Sequence, residues 1–101
     1  MRKWQLRSGE EAVHAPVIEG MVTGDQLDKE NADHLAYLCH GRMVTEFDAL
    51  DSGVSFVGIN VPTRTGKRRA SEGDYIVQDE EGNFHVFQKH VFALWFEEVD
   101  E

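Results

Sequence analysis

The sequence predicts an α+β fold: a curled, mainly antiparallel β-sheet (a small half-barrel) with one α-helix near residues 28–39 packed on it. Three observations lead there. After Gly41, apolar residues recur with a period of two in several short segments, the pattern of half-buried strands. Turn signals rich in Gly, Asn and Asp separate those segments at short intervals. A single segment, Asp28–Cys39, carries apolar residues at helical spacing. One early helix followed by closely spaced strands belongs to an α+β arrangement dominated by antiparallel sheet.

Each element follows from its residues. Glu11–Glu19 holds Val13, Ala15, Val17 and Ile18 around Pro16 and reads as an early strand, the proline favouring an edge or a bulge. In the helix, Leu35 and Leu38 stand at i and i+3, Leu27 and Cys39 extend that face, and Glu30, Asp33 and His34 point outward. Asp25 or Asp28 supplies the N-cap, and Gly41 is the stop. A helix this short is marginal alone and must pack on a sheet. Met43–Phe47 reads as a strand. Val54–Val61 alternates more clearly, with Val54 and Phe56 on one side and Val57, Ile59 and Val61 on the other; alternation alone does not say which side points inward. Thr65-Gly66 is a turn, and Lys67–Ser71, poor in apolar residues, suits an exposed edge strand.

The firmest expectation is a hairpin. Gly73-Asp74 precedes the strand Tyr75–Gln78, Glu80–Asn83 is the turn, and Phe84–Gln88 returns as the partner. Ile76 and at least two of Phe84, Val86, Phe87 and Phe92 are expected to be buried, with Leu35 and Leu38 facing the same core. Val91–Phe96 is the most hydrophobic run and is either a buried strand or a helical turn leading into one.

The chain has 101 residues, which fits one domain over residues 1–101. It is 41% apolar and 29% charged, with two prolines and nine glycines, an ordinary globular composition. No window approaches the ~18 uninterrupted apolar residues of a membrane span. Met1–Arg7 is basic, but no apolar stretch follows as in a secretory signal. One cysteine, Cys39, excludes an internal disulfide framework, and a reducing cytoplasm is the simplest compartment.

Charge is more informative. Nineteen acids against ten bases leave −9, which opposes direct binding to nucleic acid or anionic membranes and suits basic partners. Yet four of the ten bases, Arg64, Lys67, Arg68 and Arg69, fall within six positions. Together with Thr63, Thr65 and Ser71 they could hold phosphate, with Tyr75 or Phe84 stacking a base. The same block could instead meet an acidic protein, or simply protect an edge strand from aggregation. Asp79, Glu80 and Glu81, with Glu97 and Glu98, are the acids placed to meet a basic partner.

No catalytic, cofactor or metal signature is assembled. The five histidines show no His-x-His or His-Glu-x-x-His pattern, and His85, within an alternating strand, reads as a packing residue. Cys39 and His40 are neighbours about 100° apart on a helix and cannot form a dyad. Asp79-Glu80-Glu81 lacks EF-hand spacing and reads as a solvated turn. Phe84, Phe87, Phe92, Trp95 and Phe96 read as core, and an edge strand with one exposed aromatic would also support a homodimer.

Gly73-Asp74-Tyr75-Ile76-Val77, then Gly82-Asn83-Phe84, Val91-Phe92 and Phe96-Glu97-Glu98-Val99 carry a family likeness. They resemble small tailed-bacteriophage proteins of unknown function that commonly read Gly-Asp-Trp-Ile, Gly-Glu-Phe-Tyr-Pro, Lys-Pro-Asp-Ile-Phe and Thr-Tyr-Glu-Pro-Val. Ile59–Thr63, Gly66 and Arg69-Ala70-Ser71 also fit, so the resemblance covers mostly residues 54–99. It departs at Glu72, where the group often has proline, at Tyr75 for tryptophan, at Lys89-His90 for Pro-Asp and at Trp95 for threonine. The matching positions are turn glycines and core aromatics, so the resemblance implies a fold and a phage or prophage origin, with no chemistry attached.

Two functions are therefore expected. The first is a phage-encoded, non-enzymatic protein in the host cytoplasm. It would dock through its acidic surface onto a basic host protein of the nucleic-acid-handling or defence machinery. The alternative is a protein that sequesters a phosphorylated small ligand, such as a nucleotide signal, on Arg64–Arg69. A small hydrolase using His and carboxylates is the minor alternative.

Overall fold

Ile76 and Val77 set the plan of the molecule. Both are apolar neighbours on one strand and both are buried. Successive strand residues point to opposite faces, so their sheet must be covered on both sides. The computed structural model describes residues 2–7, 18, 20–48 and 53–99. Among them the elements run β1 (Arg2–Leu6), β2 (Val22–Gln26), α1 (Ala32–Cys39), β3 (Arg42–Asp48), β4 (Gly53–Thr63) and β5 (Gly66–Ser71), then β6 (Tyr75–Gln78), β7 (Phe84–Phe87), α2 (Lys89–Trp95) and β8 (Phe96–Glu98).

The fold is α+β and mostly antiparallel sheet, as the sequence predicts. The strands divide into two open sheets, one in the order β7-β6-β2-β1-β8 and one in the order β3-β4-β5. The division falls at the β5–β6 connection. There Gly73, at φ 98°, turns the chain out of the smaller sheet. The Gly73 N–H donates to the Leu27 carbonyl at 2.8 Å, and the Leu27 N–H donates to the Asp74 carbonyl at 2.7 Å. This clasp hands β6 to β2 instead of β5.

Each face of the larger sheet has its own core. Ile76 packs with Leu27, Leu35, Cys39, Ile59, Val61 and Ala70, beneath α1 and the smaller sheet. Val77 packs with Trp4, Ile18, Val22, Phe92 and Phe96 on the α2 side. The predicted early strand, Glu11–Glu19, lies outside the described residues except for Ile18, which joins this second core.

The helix begins at Ala32, later than the predicted Asp28. Asp28 takes the N–H groups of Glu30 and Asn31, each at 2.8 Å, and Asn31 Oδ1 accepts the Asp28 N–H. Side chains that bond the local backbone this way form a turn in place of helix. The buried face is Ala32, Leu35, Ala36 and Cys39, spaced i, i+3, i+4 and i+7. Leu38, expected in that core beside Leu35, falls off this face and is only half-buried. At the C-terminus the left-handed residue is His40, at φ 57°, with the Gly41 N–H donating to the Ala36 carbonyl at 2.9 Å. Gly41 is small for another reason: a Cβ there would lie 2.7 Å from the Asn60 carbonyl and 2.8 Å from Ile59.

A bulge answers the parity question on β4. Val44 pairs with Gly58 but Thr45 pairs with Phe56, so Val57 is skipped. An extra residue in one strand flips the alternation beyond it. Phe56 on one side of the bulge and Ile59 and Val61 on the other therefore reach the same core. Pro62 lies past the last β3 pair, Arg42–Asn60, where its missing N–H removes no ladder bond.

The β6–β7 hairpin forms as predicted, from Tyr75↔Phe87 to Gln78↔Phe84. Ile76 and Phe92 are buried as expected, but Phe84, Val86 and Phe87 are all half-buried. The reason is position: β7 is the outermost strand of its sheet, with β6 its only hydrogen-bonded neighbour among the described residues. The hydrophobic run after Val91 is the helical turn α2, which leads directly into β8 against β1. No described helix is long and apolar enough to cross a membrane.

Candidate functional site

The β4–β5 hairpin presents the basic block. Thr63 and Gly66 close a two-residue turn at Arg64-Thr65, and the Thr63 hydroxyl donates to the Gly66 carbonyl. Arg64, Lys67, Arg68 and Arg69 are all exposed. Among the described residues none of the four forms an ion pair with an acid. Arg69 Nε instead donates to Oδ1 of its cross-strand neighbour Asn60 at 2.9 Å. The N-terminal arginines differ. Arg2 pairs with Asp25 at 3.1 Å and Glu98 at 3.5 Å, and Arg7 pairs with Glu97 at 3.6 Å. Four clustered bases without an acidic partner among the described residues are poised for an anion from outside.

The larger sheet brings aromatic surface to meet them. Arg64 and Arg68 face Phe84, Phe87 and Trp95 across a cleft of about 380 Å³, completed by Thr63, Thr65, His85 and Val86. Because β7 is an edge strand, residues from both its faces reach this cleft. Lys67 and Arg69, with Arg68 again, line an adjoining groove. Tyr75 is not in either hollow. Its ring stacks on Phe92 at 4.1 Å and meets Trp4 edge-on at 5.5 Å, within the second core. Phe84, the other stacking candidate, does line the cleft, and Phe87, Trp95 and His85 join it although the sequence marked them only as core or packing residues. Aromatics on an alternating strand were the available signal, but the approach of the two sheets is a long-range contact that no local pattern records.

The acids expected to meet a partner do not form one face. Glu80 and Glu81 are exposed at the hairpin tip. Glu97 and Glu98 lie on β8, at the opposite edge of the sheet from β7, and each is paired with an arginine. Glu97 also accepts from Gln5 at 2.9 Å.

Asp79 works within the turn. Its Oδ1 accepts the N–H groups of Glu81 and Asn83, both at 2.9 Å, and its Oδ2 lies 2.8 Å from His85 Nε2. His85 is thus a hydrogen-bonding partner of the turn as well as a packing residue. Burial alone would raise the Asp79 pKa. The His85 hydrogen bond and the two N–H groups outweigh it and hold the carboxyl below its ordinary range. A carboxyl depressed in the folded state stabilises above its unfolded value of about 3.9, and that contribution is lost as pH falls through the lower folded value. Urea midpoints measured from neutral pH down to acid are expected to fall across that window. An Asp79→Asn variant should start lower and lose less there; an identical acid slope in both proteins would exclude Asp79 as its source.

Cys39 is 1% exposed. Burial pushes its thiol pKa up, the opposite of what a thiolate nucleophile needs. Among the described residues no three His, Cys, Asp or Glu side chains converge as metal ligands would. No protein-family model, curated protein or solved structure matches this chain.

Proposed function

We propose that the chain is a non-catalytic binding protein whose ligand is a small phosphorylated molecule with a planar ring, such as a nucleotide. One observation carries the reading: Arg64 and Arg68, unpaired within the described chain, face Phe84, Phe87 and Trp95 across the same cleft. Guanidinium forks suit phosphate oxygens, and the aromatic walls offer a ring edge-on or stacked contact. A volume of about 380 Å³ falls within the roughly 300–1,000 Å³ of small-molecule sites.

Thermal-shift measurements against nucleoside mono-, di- and triphosphates and cyclic dinucleotides test this. A ligand at ~100 times its Kd adds about 2.7 kcal/mol, and the shift is expected to disappear in Arg64→Ala/Arg68→Ala. Unphosphorylated nucleosides should shift far less. If no phosphorylated compound shifts the protein, the reading fails.

Docking onto a basic host protein, in the phage setting the resemblance implies, is a second reading. It is supported by the net charge of −9 and by Glu80 and Glu81, exposed and without ion pairs among the described residues. Reversing both to lysine separates the two readings, since it leaves a cleft ligand's shift unchanged and abolishes salt-sensitive capture of a basic protein.

A further inference from the structure

We propose that the free edge of β5 is a docking site for an extended, acidic peptide segment of a partner protein, which adds to the smaller sheet as a fourth strand. This groove adjoins the aromatic cleft and shares Arg68 and Val86 with it, but the inference does not depend on the small-ligand reading.

The groove beside β5 holds about 410 Å³ and is lined by Lys67, Arg68 and Arg69, with Asp74, Val86 and Gln88. Side chains of consecutive strand residues point to opposite faces. A hollow touching three in a row therefore runs along the outer edge of the strand, where an added strand would lie. Among the described residues β5 has only β4 as a hydrogen-bonded neighbour.

The backbone groups needed for such pairing are aimed outward. Across a two-residue hairpin, Thr63↔Gly66 is the hydrogen-bonded closing pair and the pairs then alternate. Lys67 and Arg69, opposite Pro62 and Asn60, fall in the non-bonded class, so their N–H and C=O groups face away from β4. Pro62 fits this class because it has no N–H to give β5. Ser71, next in the series, shows the outward direction directly. Its N–H donates to Asp74 Oδ2 at 2.8 Å, and its carbonyl accepts the Asp74 N–H at 2.9 Å. Asp74 thus closes one end of the edge and leaves the Lys67–Arg69 stretch available.

Charge selects the occupant. Three exposed cations flank this edge without an acidic partner among the described residues. A second copy of β5 would set cations opposite cations, which disfavours self-pairing. A free phosphate would answer the charge but leave the strand's donors and acceptors unmet. An extended segment with Glu or Asp on alternate positions satisfies both, its main chain supplying affinity and its acids specificity. An acid is disfavoured at the end facing Asp74.

Fluorescence anisotropy with a labelled, alternating Glu/Val peptide tests the proposal on the full chain, beside a Gln/Val analogue and a Glu/Val peptide N-methylated on alternate residues. The Glu/Val peptide is expected to bind and to slow amide exchange at Lys67 and Arg69. The Gln/Val analogue and the N-methylated peptide are each expected to bind about tenfold more weakly, as is the unmodified peptide to Lys67→Glu/Arg69→Glu. Equal binding of the N-methylated peptide would reduce the contact to charge attraction and overturn the proposal. So would equal binding of the Gln/Val analogue, absence of binding, or protection of the same amides by self-association or by inorganic phosphate. The three peptides compared on the unaltered protein decide the matter even if the charge-reversed variant does not fold.

Discussion

Phe92→Ala is expected to cost about 3–5 kcal/mol, as for a fully enclosed phenylalanine. The side chain is 1% exposed and is the hub of the second core. Its ring stacks on Tyr75 at 4.1 Å and on Phe96 at 4.7 Å, and meets Trp4 edge-on at 4.9 Å. Removing it leaves a cavity between α2 and the larger sheet and deletes these three ring contacts and a fourth, tilted one with Phe87 at 5.9 Å, such pairs adding about 0.5–1.5 kcal/mol beyond area. A domain has about 5–15 kcal/mol in total, so the urea midpoint should move substantially. Leu94 lies on the same short helix but is 51% exposed, and Leu94→Ala should stay within roughly ±0.5 kcal/mol. Comparable losses at both positions would mean that burial of Phe92 does not set the effect, since alanine favours the helix more than either residue it replaces.

Ile76→Ala is expected to cost about 2–5 kcal/mol. Ile76 is 2% exposed and links β6 to the core beneath α1 and the smaller sheet. The cavity would open where the two sheets and the helix meet, at a site with little freedom to collapse, which favours the upper part of that range. Glu80→Ala, at the exposed tip of the same hairpin, should lie within roughly ±0.5 kcal/mol. Chemical denaturation of the two variants checks the contrast. Equal harm would show that the turn, rather than the buried strand, carries the stability of this hairpin.

The candidate site was legible in part. The unusual density of Arg and Lys at residues 64–69 is a property of the sequence, and so is its place on a hairpin and an edge strand, because turn chemistry and scarcity of apolar residues are local signals. Tyr75 looked suited to stack a base but is held against Phe92. Phe87 and Trp95 looked like core and instead also wall the cleft. What decides between core and cleft is which side of the larger sheet approaches the β4–β5 hairpin, and that depends on residues far apart in the chain. The acidic surface shows the same limit. Glu97 and Glu98 look available in sequence, yet the pairing of β1 with β8 brings Arg7 and Arg2 to them.

By itself the sequence determined the α+β class, the β6–β7 hairpin with its turn, the basic hairpin and edge strand, and the C-terminal end of α1. Each rests on alternation, helical spacing or turn residues, interactions between near neighbours. Only the tertiary structure decided that the strands form two sheets, because the Leu27–Gly73–Asp74 clasp joins segments remote in sequence. It likewise decided that the helix starts at Ala32, where Asp28 and Asn31 bond each other, and that Phe56 shares a core with Ile59 through a bulge. Leu38 and β7 stay half-buried because burial depends on which face finds a partner and which edge does not, and hydrophobicity along the chain carries neither.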